Sequence, residues 1–170
     1  AYSGDMQSVT EGVTCVTFGG EFRHYTRDEM DFSYRHSRLC APGAEPEIVL
    51  SATVALAQGD PDTIRVTMRE FAARRREKQP ITLPSCGSTF KRPPGQFAGT
   101  LIDQCGLKGL RIGGASVSTL HAGFLVNDQS GTAADYLALM DRVQQIVYEK
   151  TGVRLEPEVR VVGEELSPQG

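Results

Sequence analysis

Proline closes the middle of this chain to helix. Pro80, Pro84, Pro93 and Pro94 lie close together, and a proline inside a helix removes a backbone N–H and clashes with the preceding turn. Gly87, Gly95 and Gly99 are interleaved with them. Residues Pro84 to Gly99 (PSCGSTFKRPPGQFAG) are therefore expected to form a long irregular loop, and loops of this length in a compact domain are often functional. This one carries hydroxyls and a thiol at Ser85-Cys86-Gly87-Ser88, beside the cations Lys91 and Arg92.

The flanks sort by periodicity. Before the prolines, Val9, Val13, Cys15, Val16 and Phe18 form a β-branched stretch ending at the turn Gly19-Gly20, and Glu21 to Thr26 is expected to pair back as a hairpin. Asp28 to Phe32 reads as a short helical turn, and Glu47 to Ala57 (EIVLSATVALA) as a long strand. Gly59-Asp60-Pro61-Asp62 punctuates its end and marks a domain boundary near Gly59. Asp60 suits an N-cap and Pro61 the first helical position. Ile64, Met68, Phe71 and Ala72 then follow helical spacing. Beyond the prolines, Ala98, Leu101, Ile102 and Cys105 share a helical face closed by Gly106. Ile112 to Val117, Gly123 to Val126 and Val159 to Val162 read as strands. Thr132 and Asp135 pair as a helix cap, Leu139, Val143 and Ile146 face inward, and Gly152 stops the helix. Ser167 to Gly170 is expected to be a tail. Strands mixed with helices without strict alternation predict an α+β fold, a small sheet with helices on one face.

The 170 residues carry a net charge of -3, which argues against a general nucleic-acid binder. No apolar run approaches the roughly 18 residues of a membrane span. Yet Asp60 to Arg111 holds ten Lys/Arg and five Asp/Glu, and a basic middle on an acidic chain suits an anionic small ligand such as a diphosphate. Arg74 to Arg76 fit a solvated helix face equally well. An RNA-binding role rests only on this basic helix and lacks aromatic stacking motifs. Cys15, Cys40, Cys86 and Cys105 show no zinc spacing, so no metal site is expected and reduced thiols are the simpler reading.

Three spots could hold chemistry. Ser85 to Ser88 sits beside cations, but a nucleophile elbow fails because GxSxG is absent; an ordinary turn is the plainer alternative. Tyr34-Arg35 lies at the edge of an element. Glu158, at the entrance of an apolar strand, could be partly buried and act as an acid, or sit at the surface paired with Arg160.

Together these spots carry a resemblance. Tyr34-Arg35-His36-Ser37, Ser85-Cys86-Gly87-Ser88-Thr89-Phe90-Lys91-Arg92-Pro93, Ala98-Gly99-Thr100-Leu101-Ile102 and Gly106-Leu107-Lys108-Gly109 follow in order. Ile112-Gly113-Gly114-Ala115-Ser116-Val117-Ser118, His121-Ala122-Gly123-Phe124-Leu125-Val126-Asn127 and Leu155-Glu156-Pro157-Glu158-Val159-Arg160 complete the set. The series resembles the UDP-N-acetylenolpyruvoylglucosamine reductases of peptidoglycan synthesis, in the branch lacking a substrate-covering insertion. The chain starts at Ala1 without an initiator methionine, and Ala1-Tyr2 resembles the end of that family's Asn-Ala-Gly-Ala-Tyr motif.

The resemblance implies that residues 1–58 are the C-terminal part of an FAD-binding domain and 59–170 a substrate-binding domain. It implies FAD and NADPH as cofactors and UDP-N-acetylglucosamine enolpyruvate as substrate. Arg35 and Glu158 would stabilise the substrate carboxylate, and Ser88 would protonate C2. Tyr34, Lys91, Arg92 and His121 would line the substrate site, while Arg160 would face the flavin or substrate. Cys86, where many members have alanine, reads as structural. The resemblance further implies a bacterial cytoplasmic enzyme, with no nucleic-acid, membrane or protein partner expected. Without an intact flavin lobe the chain alone is expected to be inactive; the alternative is an isolated UDP-sugar-binding module.

Overall fold

A computed structural model describes residues 4–163; Ala1-Tyr2 and the tail Ser167 to Gly170 lie outside them. The chain divides into two compact units, Ala1–Met68 and Arg69–Gly170. The division falls inside a helix, ten residues beyond the boundary expected at Gly59.

In the first unit, β1 (Thr10–Thr17) is the central strand of an antiparallel sheet, between β2 (Phe22–Thr26) and β3 (Glu47–Val54). The hairpin turns at Gly19-Gly20, where Gly20 has φ +85°, a left-handed conformation that favours glycine. Alternation along β1 buries Val13 and Cys15 against Met30, with Tyr25, Phe32 and Leu39 packed around them. Asp28 to Phe32 belongs to a single turn in which Met30 N–H donates to Thr26 O. A short 3-10 turn, Arg38–Cys40, follows.

β3 ends three residues before the expected Ala57. Its last register pairing is Val54 with Thr10, the first residue of β1, and one further backbone bond, Ala55 N–H to Val9 O at 2.8 Å, ends the contact between the two segments. The most apolar run of the sequence is also not core: Leu50 is 51 % exposed, and Ile48 and Val49 are similarly open. Helix α1 (Pro61–Lys78) forms where expected, with Asp60 Oδ2 accepting from Thr63 N–H at 2.8 Å as its cap. The apolar spacing does not translate into burial, since no residue of α1 is buried.

One carboxylate of this unit is nearly closed off. Glu47 has only 5 % of its side chain exposed, and its Oε1 accepts from Tyr25 Oη at 2.7 Å and Arg23 Nη1 at 2.8 Å. The Tyr25 hydrogen bond, ahead of Arg23, holds the Glu47 carboxyl below its ordinary range. Beneath it the Cys15 thiol is pushed up, first by burial and then by the Glu47 charge.

The second unit is a four-stranded antiparallel sheet in the order β4-β7-β6-β5. Its strands are β4 (Ser85–Ser88), β5 (Arg111–Ile112), β6 (Ala115–Val117) and β7 (Phe124–Asn127). Helix α3 (Ala133–Thr151) packs on β5, β6, β7 and the short helix α2 (Ala98–Gln104). Leu139, Val143 and Val147 of α3 are fully buried with Ile102 and Leu125, and each such side chain contributes roughly 1.5–3 kcal/mol. This is the α+β arrangement expected from the sequence.

Three expectations give way here. The irregular loop contains a strand, because Ser85 to Ser88 pairs with β7. Ile112 to Val117 is a hairpin rather than one strand: Gly113 turns with φ +52°, and Arg111 pairs back on Ser116. Val159 to Val162 forms no strand, and Val162 is 90 % exposed. That segment pairs earlier, through the Phe90–Pro157 bridge. Lys91 N–H donates to Glu156 O and Glu158 N–H to Thr89 O, both at 2.8 Å. Further on, the edge of β4 is broken by a bulge, so no continuous ladder is offered.

Helix α3 has the boundaries its sequence announces. Thr132 Oγ1 accepts from Asp135 N–H, Asp135 Oδ2 accepts from Thr132 N–H, and Gly152 closes the helix at φ +73°. The Thr132 N–H holds the Asp135 carboxyl below its ordinary value, about 3.9 in an unfolded chain. A depressed folded value stabilises the fold above that pH, and the contribution is lost as pH falls through the folded value. Asp135, Asp128 and Glu47 all shift in this direction. Urea midpoints are therefore expected to fall steadily below about pH 4, and Asp135→Asn should flatten part of that fall. Equal pH dependence in wild type and Asp135→Asn would refute the assignment.

Candidate functional site

Ser88 owes its position to an extra residue. Between the pairs Ser85–Val126 and Ser88–Phe124, β4 advances three residues while β7 advances two. The surplus is taken up at Cys86-Gly87, where Gly87 adopts φ +81°. Such a bulge bends the strand and re-aims the following side chain, and bulges are over-represented beside active sites. Ser88 is exposed, while Thr89 and Phe90 after it are buried.

Thr89 fixes what surrounds Ser88. Its N–H donates to Gly123 O at 2.9 Å, and its carbonyl accepts from Glu158 N–H at 2.8 Å. Its Oγ1 accepts from Leu125 N–H at 3.2 Å and lies 3.3 Å from Tyr136 Oη. The β4 edge, β7 and the segment after α3 are thus joined at one residue, with exposed Ser88 before it in the chain and half-buried Glu158 bonded through its backbone to it.

The cations and the histidine take their places around this edge. Lys91 Nζ donates to Glu156 Oε2 at 3.0 Å, two residues before Glu158. Arg92 stacks over the Phe97 ring at 4.3 Å. His121 is oriented by Gly123 N–H, which donates to its Nδ1 at 3.1 Å, and by an edge contact with Phe124. Gly99 passes close beside it: a Cβ there would lie 3.1 Å from His121 Cε1 and 3.2 Å from Gly123 N. Arg160 is exposed beyond Glu158.

Tyr34 and Arg35 belong to the first unit, in a tight turn closed by the Ser33–His36 bridge. Arg35 has φ +56°, an uncommon conformation for a side chain of its size, and its guanidinium lies 5.1 Å from the Tyr34 ring. Together with Gly4 to Val9, Phe32 and Ser33, they line an open cleft of about 760 Å³. Thr89 and Tyr136 went unnoticed in the sequence. Tyr136 lies at inward spacing from Leu139, Met140 and Val143, and its polar tip was the available signal.

The chain is similar to known proteins over most of its length. Residues 79–162 match the family described as UDP-N-acetylenolpyruvoylglucosamine reductase, C-terminal domain. The UDP-N-acetylenolpyruvoylglucosamine reductase of Limosilactobacillus fermentum is 52 % identical over 163 residues, covering 96 % of this chain and 53 % of that protein. The chain belongs to this reductase family. The Levilactobacillus brevis reductase is 48 % identical over 169 residues, covering 99 % of this chain and 55 % of its own length. The crystal structure of UDP-N-acetylenolpyruvylglucosamine reductase from Thermus caldophilus superimposes with a TM-score of 0.76 at 35 % identity. It matches 93 % of this chain and 55 % of that one. The chain thus spans about half the length of its reductase relatives.

No helix among the described residues is long and apolar enough to cross a membrane. Nor do the described residues gather three or more His, Cys, Asp or Glu as a metal site. All four cysteines are free thiols, Cys15 and Cys105 buried, Cys40 and Cys86 exposed.

Proposed function

We propose that this chain supplies the substrate-handling part of a reductase that converts UDP-N-acetylglucosamine enolpyruvate to UDP-N-acetylmuramate in the bacterial cytoplasm. The observation that carries the proposal is the bulged β4 edge, which leaves Ser88 exposed directly before Thr89, the residue whose carbonyl accepts from Glu158 N–H. Residues 1–58 would belong to the flavin-binding domain and 59–170 to the substrate-binding domain.

The first unit's cleft suits a flavin ring in kind. Met6, Val9 and Phe32 offer apolar contact, and Gln7, Ser8 and Ser33 offer hydrogen bonds. These residues would hold FAD, with Arg160 as a further candidate. Bound FAD, recharged by NADPH, would supply the hydride.

The chain's own residues would do the rest. Reduction at C3 of the enolpyruvyl group drives electron density toward the carboxylate, giving an enediolate-like species. Arg35 and Glu158 would hold that carboxylate, and preorganised partners of developing charge are worth roughly 3 kcal/mol each. Ser88 would deliver its proton to C2. A serine hydroxyl is a weak acid, but an enediolate carbon is strongly basic, so placement decides the rate. Tyr34, Lys91, Arg92 and His121 would line the UDP-sugar site, where the local excess of positive charge suits the diphosphate.

The test exchanges this chain for the matched segment of the L. fermentum reductase. The chimera is expected to oxidise NADPH only when the enolpyruvyl substrate is present. A flavin-loaded chimera that the substrate cannot reoxidise would overturn the reading. Calorimetric titration of the 170-residue chain alone with the UDP-sugar separates out the binding-module alternative, which requires binding in an inactive chimera.

A further inference from the structure

We propose that Tyr136 is a positioning residue for Ser88 and Glu158, acting through Thr89; this rests on the reading above, in which those two residues serve the reaction. Tyr136 stands on the first turns of α3, the longest and most regular element of the second unit, four residues after the capping threonine Thr132. Its hydroxyl lies 3.3 Å from Thr89 Oγ1, and Thr89 has no exposed surface. The Thr89 hydroxyl already accepts the Leu125 N–H, and it retains an O–H donor and a second lone pair with which to meet the Tyr136 hydroxyl.

The position of this pair gives it leverage. Thr89 is covalently next to Ser88, and its carbonyl holds the N–H of Glu158. Gly87, on the other side of Ser88, has left-handed backbone and no side chain to anchor it. Cys86 begins the bulge. Burial pushes the Tyr136 hydroxyl above its ordinary pKa, and the Thr89 hydrogen bond opposes that shift. Tyr136 therefore meets the strand at Thr89, directly after Ser88, while Ser88 itself faces outward. A rigid helix set beneath a bulge limits how far the serine hydroxyl can wander. Loss of about 1 Å in placement can cost a factor of about one hundred in rate.

Tyr136→Phe removes the hydroxyl and keeps the ring. In the chimeric reductase it is expected to slow reoxidation of the flavin by substrate about ten-fold or more, leaving reduction by NADPH unchanged. Thr89→Ser, which keeps the hydroxyl, is expected to retain wild-type reoxidation. Equal rates in wild type and Tyr136→Phe would overturn the proposal, as would equal slowing of both half-reactions, which marks a general loss of structure. A second reading is independent of activity. In the 170-residue chain, hydrogen exchange at the Thr89 and Glu158 amides should quicken about ten-fold in Tyr136→Phe, the worth of one hydrogen bond, while amides in the middle of α3 keep their protection. Unchanged exchange at those two amides overturns the proposal even if the chimera is inactive. An inactive wild-type chimera with quickened exchange counts against the proposed reaction and leaves the positioning role supported.

Discussion

Ser88→Ala in the chimeric reductase is expected to slow reoxidation of the flavin by substrate by about 10²–10⁴-fold, the range spanned by loss of a general acid. Reduction by NADPH should proceed at the wild-type rate, because the hydroxyl has no part in it. The asymmetry follows from where the proton is needed. Carbon C2 accepts it only after electron density has reached the carboxylate, so the ground-state complex is untouched and substrate affinity should hold. Stopped-flow traces of the two half-reactions would check this, and equal reoxidation rates in wild type and variant would remove Ser88 from the mechanism. The structure adds a reason to expect a clean result. Ser88 is exposed, so the alanine variant should fold as wild type does.

Gly114→Ala is expected to act on the fold rather than the chemistry, and strongly. A Cβ at Gly114 would fall on the backbone of Gly131, with Gln129 O only 2.6 Å away. Backbone cannot swing aside as a flexible side chain does. The β5–β6 hairpin would have to pull away from the loop that enters α3. Gly131 is tied there by Asn127, whose Oδ1 accepts its N–H and whose Nδ2 donates to its carbonyl, both at 2.7 Å. Overpacking of this kind costs about 1–3 kcal/mol and occasionally more, and the double backbone contact puts this site at about 3 kcal/mol or above. Urea unfolding of the second unit would measure it. A loss below about 0.5 kcal/mol, the usual scatter of neutral surface changes, would show that the loop yields.

The two substitutions touch features of very different visibility in the sequence. The capping pair Thr132–Asp135, the stop at Gly152 and the inward residues Leu139 and Val143 are local, and short-range rules read them directly. Strand β4 was hidden because Pro84, Gly87 and the polar residues between them have the composition of a loop. Only its partner β7 makes it a strand, and that pairing spans nearly forty residues of chain. The opposite error arose at Val159 to Val162. There a β-branched run has the right propensity, but the edge that could receive it is bent away at Gly87. Apolar character misled in the same way in the first unit. Ile48 to Leu50 and the Ile64–Met68 face of α1 have the expected pattern, yet they stay open because burial needs a partner and not a pattern alone.

Much of the site was legible as a set of residue types. Glu158 could have been partly buried or a surface residue paired with Arg160, and it is half-buried. Lys91 was expected among the cations, but its ion pair with Glu156 could not be foreseen, because it depends on the Phe90–Pro157 bridge. The hub at Thr89 left no trace in composition. A threonine between Ser88 and Phe90 looks like strand filling until three separate elements are seen to hang from it.

The bulge at Cys86-Gly87 has a further consequence for how the protein survives at high concentration. β4 is an edge strand, and a straight edge offers unpaired N–H and C=O groups that a strand from another molecule can extend into aggregates. One kinked glycine spoils that template where the edge passes Ser88. The same kink that leaves the Ser88 hydroxyl exposed therefore denies the adjacent backbone to a passing chain, and the hydroxyl sits at a sheet edge without making the edge sticky.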